Sequence, residues 1–164
     1  MRTKPPIETY FLLVLLIFLS LGGIYGGLSL IIDSTGNQFH LNIEEYFYYP
    51  FKSFLTPGII VFIVFGILPL LLIIPMIKKP DTPWANTFNI YHRRHWSWTY
   101  TLFLGIFLVV WINVQIWMIG YHSSIQILQS FYGLSIILFC LMPEQMKFSS
   151  TWKTHRPNSR KLEN

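Results

Sequence analysis

From Trp96 up to Glu144 the chain carries no Asp, Glu, Lys or Arg. A helix in water needs a polar side, so an uncharged run of that length cannot fold as soluble helices. It is long enough for two membrane spans of about 20 residues each. Its one break is Gly120-Tyr121-His122-Ser123-Ser124, which predicts a tight helical hairpin. Inside that hairpin sit Asn113, Gln115, Gln126 and Gln129, the most polar side chains of any span.

The remainder supplies two more apolar runs. The spans are predicted at about residues 10–32, 57–77, 97–119 and 124–142, within a membrane domain covering 10–148. Around them lie a lead at 1–9, an outer loop at 33–56, a connector at 78–96 and a basic tail at 149–164. The chain is 52% hydrophobic and only 12% charged, which places it with integral membrane proteins. Its net charge of +5 does not point to nucleic acid, because the cations cluster at span ends without aromatic interleaving. The single cysteine, Cys140, excludes an intrachain disulfide.

The first apolar run begins like a secretory signal. It continues past any short apolar region, through Gly22, Gly23, Gly26 and Gly27 to Ile32, and is read as a retained span. Gly22/Gly26 and Gly23/Gly27 are small-xxx-small pairs that permit close approach of another helix, here expected within the bundle. Pro69 lies inside the second span and is expected to kink it, releasing the carbonyl of Phe65. Whether that kink is a hinge or a fixed shape is left open. Spans two and four each carry a glycine and then a proline (Gly66 and Pro75; Gly133 and Pro143), as a duplicated two-helix unit would.

Orientation follows from charge. Eleven of the twelve Lys and Arg lie in the lead, the connector or the polar stretch from Glu144 on, and only Lys52 lies in the 33–56 loop. The positive-inside rule therefore puts both termini in the cytoplasm and the loops at 33–56 and 120–124 outside. The outer loop starts with turn chemistry at Asp33-Ser34-Thr35-Gly36. Its aromatic stretch, Leu41 to Tyr49, predicts a short helix lying at the interface and ended by Pro50. Glu144 onward reads as a polar tail attracted to anionic lipid.

Two sets of side chains are candidates for function. At a rise of about 1.5 Å per residue, Gln115 and Gln126 lie roughly 6 Å from the outer span ends, Asn113 and Gln129 about 9 Å, and Trp111 and Tyr132 about 12 Å. These six either pair between helices or line a polar cavity open outward, although Asn113 and Gln115 point in roughly opposite directions. The second set is Asp33, His40, Glu44 and Glu45 in the outer loop, the available acids and bases there. With His122 they lack any recognised metal spacing, and no metal or cofactor is expected. His92 and His95 flank Arg93-Arg94 and read as part of a basic rim. No charged residue lies clearly inside a span, which argues against a proton-coupled pump.

Several marks recur together. They are Gly26-Gly27 followed by Asp33-Ser34-Thr35-Gly36, Pro50-Phe51 with Pro57-Gly58, Leu68-Pro69, Trp111 with Gln115, and Gln129 with Tyr132-Gly133 before Pro143. Their order resembles small, functionally uncharacterised four-span bacterial membrane proteins, over nearly the whole chain up to Phe148. The resemblance implies a four-helix protein of a bacterial cytoplasmic membrane and implies no activity.

The expected fold is therefore an all-α four-transmembrane-helix bundle with a partly helical, interfacial outer loop. The leading expectation for function is a non-enzymatic accessory protein that binds membrane lipid, a partner protein or a second copy of itself, and not nucleic acid. The alternatives are a small-solute transporter or channel subunit using the amide region, and an outer-interface enzyme acting on a lipid or quinone.

Overall fold

The computed structural model describes residues 4–39, 50–121 and 124–150. His40, Glu44, Glu45, His122, the expected 41–49 helix and the tail from 151 lie outside the described residues. The described residues are helical, with no strand beyond one isolated bridge between Arg94 and Ser150.

Among the described residues four helices are long and apolar enough to cross a membrane: Ile7–Ile32, Leu55–Lys78, Trp96–Ile119 and Ser124–Leu141. The first is α1. The second is composite, with α2 (Leu55–Ile60), a π-helical stretch (Val61–Ile67) and α3 (Leu68–Lys78) in continuous succession. A short α4 (Pro83–Thr87) lies in the connector. The third and fourth long helices are α5 and α6, followed by α7 (Pro143–Ser149). Pro143 ends α6 and opens α7, because a proline fits a first helical turn but not a helix interior. Glu144–Ser149, expected within a polar tail, is thus helical, and Gln145 is buried with Ser149.

The chain folds as two hairpins that pack on each other. In the first, α1 lies against the π-helical stretch, and only one of the two glycine pairs is used. A Cβ on Gly27 would fall 2.6 Å from Phe62 Cα, and one on Gly23 would collide with the backbone of Phe65. Nothing lies within 4 Å of where a Cβ of Gly22 or Gly26 would stand. In the second hairpin Gly105 and Gly133 face each other; a Cβ on Gly133 would sit 3.0 Å from the carbonyl oxygen of Gly105. Each hairpin has a close glycine contact, but the two prolines read as a repeat differ, since Pro75 lies within α3 and Pro143 beyond the end of α6.

The expected break at Pro69 takes a specific form. The N–H of Leu68 bonds the carbonyl of Ile63, five residues back, so the helix is wide just before the proline. Pro69 then falls in the first turn of α3. The neighbouring carbonyl of Gly66 accepts a 2.7 Å hydrogen bond from the buried Ser20 hydroxyl on α1. A side chain of the partner helix therefore satisfies backbone beside the proline, as an apolar environment requires.

Between the hairpins, Leu12 and Leu16 of α1, Leu72 of α3, Ile112 of α5 and Ile136 of α6 are fully buried. Phe11 stacks on Phe139 at 5.2 Å between ring centroids. Tyr132 donates from its hydroxyl to the Leu15 carbonyl at 2.7 Å. Most other large apolar side chains on the four long helices face outward, including Phe18, Tyr25, Leu71, Leu128 and Phe131.

Candidate functional site

Among the described residues the densest polar structure lies at the basic end of the bundle, where the start of α1, the connector and α7 meet. It begins with Lys79, which terminates α3 in a left-handed conformation (φ 47°, ψ 57°), its N–H bonded to the Pro75 carbonyl at 3.0 Å. That conformation costs a non-glycine residue about 1–2 kcal/mol. It directs the Lys79 Nζ to the carbonyl of Phe148 and over the Phe148 ring, 3.3 Å from its centroid. Burial pushes the Lys79 ammonium down to about 8.

Arg94 makes the matching contact, donating to the Met146 carbonyl while its guanidinium lies over Trp98. The His95 backbone N–H then donates to Ser149 at 2.9 Å. These three donors cover C-terminal carbonyls of α7, the negative end of its dipole, where backbone partners run out; the Ser149 hydroxyl also donates to the Met146 carbonyl at 3.0 Å. At the other side of α7 the buried Thr9 hydroxyl of α1 donates to Gln145 Oε1 at 2.6 Å. Helix α7 is thereby fixed to both halves of the chain.

His95 is buried and caps α5. The Pro80 carbonyl, 3.0 Å from Nε2, has only lone pairs to offer, so Nε2 donates. Nδ1 accepts from the Ser97 N–H at 3.3 Å and lies 2.8 Å from its hydroxyl. The imidazole is thus held neutral in one tautomer. Burial first, then the charge of Lys79, lower its pKa, against the opposing effects of Pro80 and Asp81. Asn89, also buried, donates to the Arg94 carbonyl at 2.8 Å and accepts from the Thr99 hydroxyl at 2.5 Å. It closes the 89–94 turn against the first turn of α5. Both nitrogens of His95 and both ends of Asn89 serve positioning.

The side chains singled out at the loop end are arranged differently. Asn113 is exposed and donates to the Val109 carbonyl of its own helix at 2.8 Å. Gln115 is half-buried and Gln129 exposed. Gln126 is buried, its amide 3.4 Å from the Gly120 carbonyl. Trp111 lies in an aromatic group with Phe107 and Phe65, 6.2 and 6.3 Å away between centroids, and Tyr132 bonds to α1. Among the described residues, the geometry brings Trp111 and Tyr132 to the other hairpin and leaves Asn113 and Gln129 on outward faces.

Asp33 organises the start of the 33–56 loop. Thr35 donates to its carboxylate, as does the Gln38 N–H at 2.7 Å. These bonds, the Thr35 hydroxyl foremost, hold its pKa below the usual range. Phe54 N–H bonds the Ser34 carbonyl at 2.8 Å, tying this turn to the start of the second long helix. No group of three His, Cys, Asp or Glu comes together among the described residues.

No family model, no curated protein and no solved structure matches this chain.

Sequence reasoning does not single out Thr9, Asn89, Thr99 and Gln145, and it misplaces His95 on a basic rim. A signal was present: His95-Trp96-Ser97 places a side-chain acceptor immediately before an apolar helix, the position of an N-cap. His95 was read instead by its neighbours, Arg93 and Arg94, as part of a solvated rim.

Proposed function

We propose that this chain is a four-span integral protein of a bacterial cytoplasmic membrane, with both termini inside. On this reading it acts as a non-enzymatic accessory protein that binds lipid or a partner protein through its basic end. The charge distribution supports the orientation, and the resemblance noted above supports the setting. The observation that carries the role is the clamping of α7. Three donors on its C-terminal carbonyls and one bond to α1 hold a short helix rigidly against the bundle, with Glu144 and Lys147 on its exposed side. A preformed surface of this kind lowers the ordering cost of association.

Native mass spectrometry of the protein released with its surrounding membrane tests this. The expected result is a complex at fixed stoichiometry with phospholipid or one defined chain, a chain that Lys147→Glu on exposed α7 releases. Release of a bare polypeptide would remove the proposal. Retention of a small polar solute instead would favour the transporter alternative and direct attention to the buried Gln126.

A further inference from the structure

We propose that the connector segment from Pro83 to Tyr91 is a lipid-docking element that inserts Trp84, Phe88 and Ile90 into the membrane leaflet at the basic end, beside anionic phospholipid headgroups. The proposal rests on the four-span, ends-inside reading above and names one ligand for that same end.

The argument starts from position. A connector between two spans would ordinarily project away from the bundle into water, carrying polar side chains. This one folds back along the flank of α5. Thr99 is in the first turn of α5, and its short side chain reaches Asn89 at 2.5 Å. The Tyr100 hydroxyl donates to the Ala85 carbonyl at 2.8 Å. Tyr91 meets the edge of Trp98 at 5.5 Å and lies 6.4 Å from Phe103 between centroids. At about 1.5 Å per residue, a partner on the first turn lies within roughly 5 Å of the start of α5 along its axis. On the four-span reading, that end of α5 lies where the bilayer changes from headgroup to acyl chain.

The second observation is which side chains the segment turns outward. Its inner side is Ala85 and Asn89, both buried. Its outer side carries Trp84, Phe88 and Ile90, at 70%, 72% and 63% exposure, alongside the exposed Asn86 and Thr87. Three large apolar groups in a short connector would be unfavourable in water. At interfacial depth they are favourable, and a tryptophan is especially suited to that position.

The third is charge. Residues 78–96 hold Lys78, Lys79, Arg93 and Arg94 against one acid, Asp81. Lys79 and Arg94 are turned to α7, but Lys78 and Arg93, on either side of the segment in the chain, are exposed, so the segment is flanked by positive charge. An apolar face flanked in that way fits an anionic leaflet surface in preference to a zwitterionic one.

The test places a fluorophore on Phe88→Cys in a Cys140→Ala background, with Ile90→Cys as a second site should the first variant misfold. The protein is reconstituted in equal mixtures of phosphatidylglycerol and phosphatidylcholine, with one or the other brominated, and iodide serves as the aqueous quencher. The expected result is stronger quenching by bromolipid than by iodide. Brominated phosphatidylglycerol should be enriched roughly fivefold over its counterpart, the preference that one basic side chain near an anionic surface gives. Quenching by iodide, shielding from both quenchers, or equal quenching by the two lipids would each overturn the proposal. A label on Phe131→Cys, exposed on α6, separates the two readings. Bromolipid quenching there without quenching at Phe88 sinks the connector alone, and its loss at both positions sinks the membrane reading.

Discussion

Thr9 and Gln145, 136 positions apart, share a 2.6 Å hydrogen bond between two buried side chains. One sits at the start of the first long helix and the other in the short helix after the last, so a single bond closes the chain at its basic end. Removing either partner leaves a buried polar atom unsatisfied, which costs about 1–3 kcal/mol. Thr9→Val and Gln145→Leu should each destabilise by that order. The double variant should lose less than the sum, because an apolar pair no longer needs the bond. Unfolding of the four proteins in mixed micelles measures the coupling; strict additivity would mean that the bond contributes nothing.

The glycine pairs give a sharper contrast. Gly23→Ala would drive a Cβ into the Phe65 backbone, whereas Gly22→Ala and Gly26→Ala meet open space. Overpacking of a close helix contact costs about 1–3 kcal/mol, so Gly23→Ala should lower the melting temperature clearly and the other two should not. Equal effects from the two pairs would contradict the assigned face.

Ser20→Ala removes the donor to the Gly66 carbonyl beside Pro69. Side-chain hydrogen bonds between helices in membranes contribute about 1 kcal/mol or less, and a loss of that size is expected. Hydrogen exchange of the amides from Leu68 to Leu72 should rise in the same variant. Unchanged exchange would show that the carbonyl finds another partner.

His95 carries a pH dependence of defined sign. Its folded pKa is lowered from 6.5, so between the two values the unfolded chain binds more protons than the folded one. Stability is therefore complete above about 6.5 and falls as pH drops through that value toward the folded one. Protonation also converts Nδ1 from acceptor to donor, removes the cap on Ser97 and adds positive charge at the N-terminus of α5, near Lys79. Thermal melting from neutral pH down to about 5 should show this decline, and His95→Gln should flatten it. A slope unchanged in His95→Gln would assign the dependence elsewhere.

The four long helices were legible because their signal is local: each is an apolar run of adequate length, ended by turn residues or by Pro143. The proline irregularity was legible as well, but its form was not. A π-helical stretch depends on what the opposing helix presents, and Ser20 and Gly23 are 46 and 43 positions from Gly66. The two glycine pairs are identical by spacing, so only the position of the neighbouring helix distinguishes them. The basic-end network was the least legible part. His95 and Gln145 look solvated beside Arg94 and Glu144, and their burial follows from partners on other elements. At the loop end the sequence gives the position of each amide along its helix, but that position does not say that Asn113 bonds back to Val109.

The claim on which the rest depends is that the chain crosses the membrane four times with its basic end in the cytoplasm. Single cysteines at Asn37→Cys and Glu144→Cys, in a Cys140→Ala background, test it with a membrane-impermeant maleimide on intact cells. Both positions are exposed, one at each end of the bundle. The account predicts labelling of the first in intact cells and of the second only after permeabilisation. The reverse pattern, or labelling of both in intact cells, would contradict it.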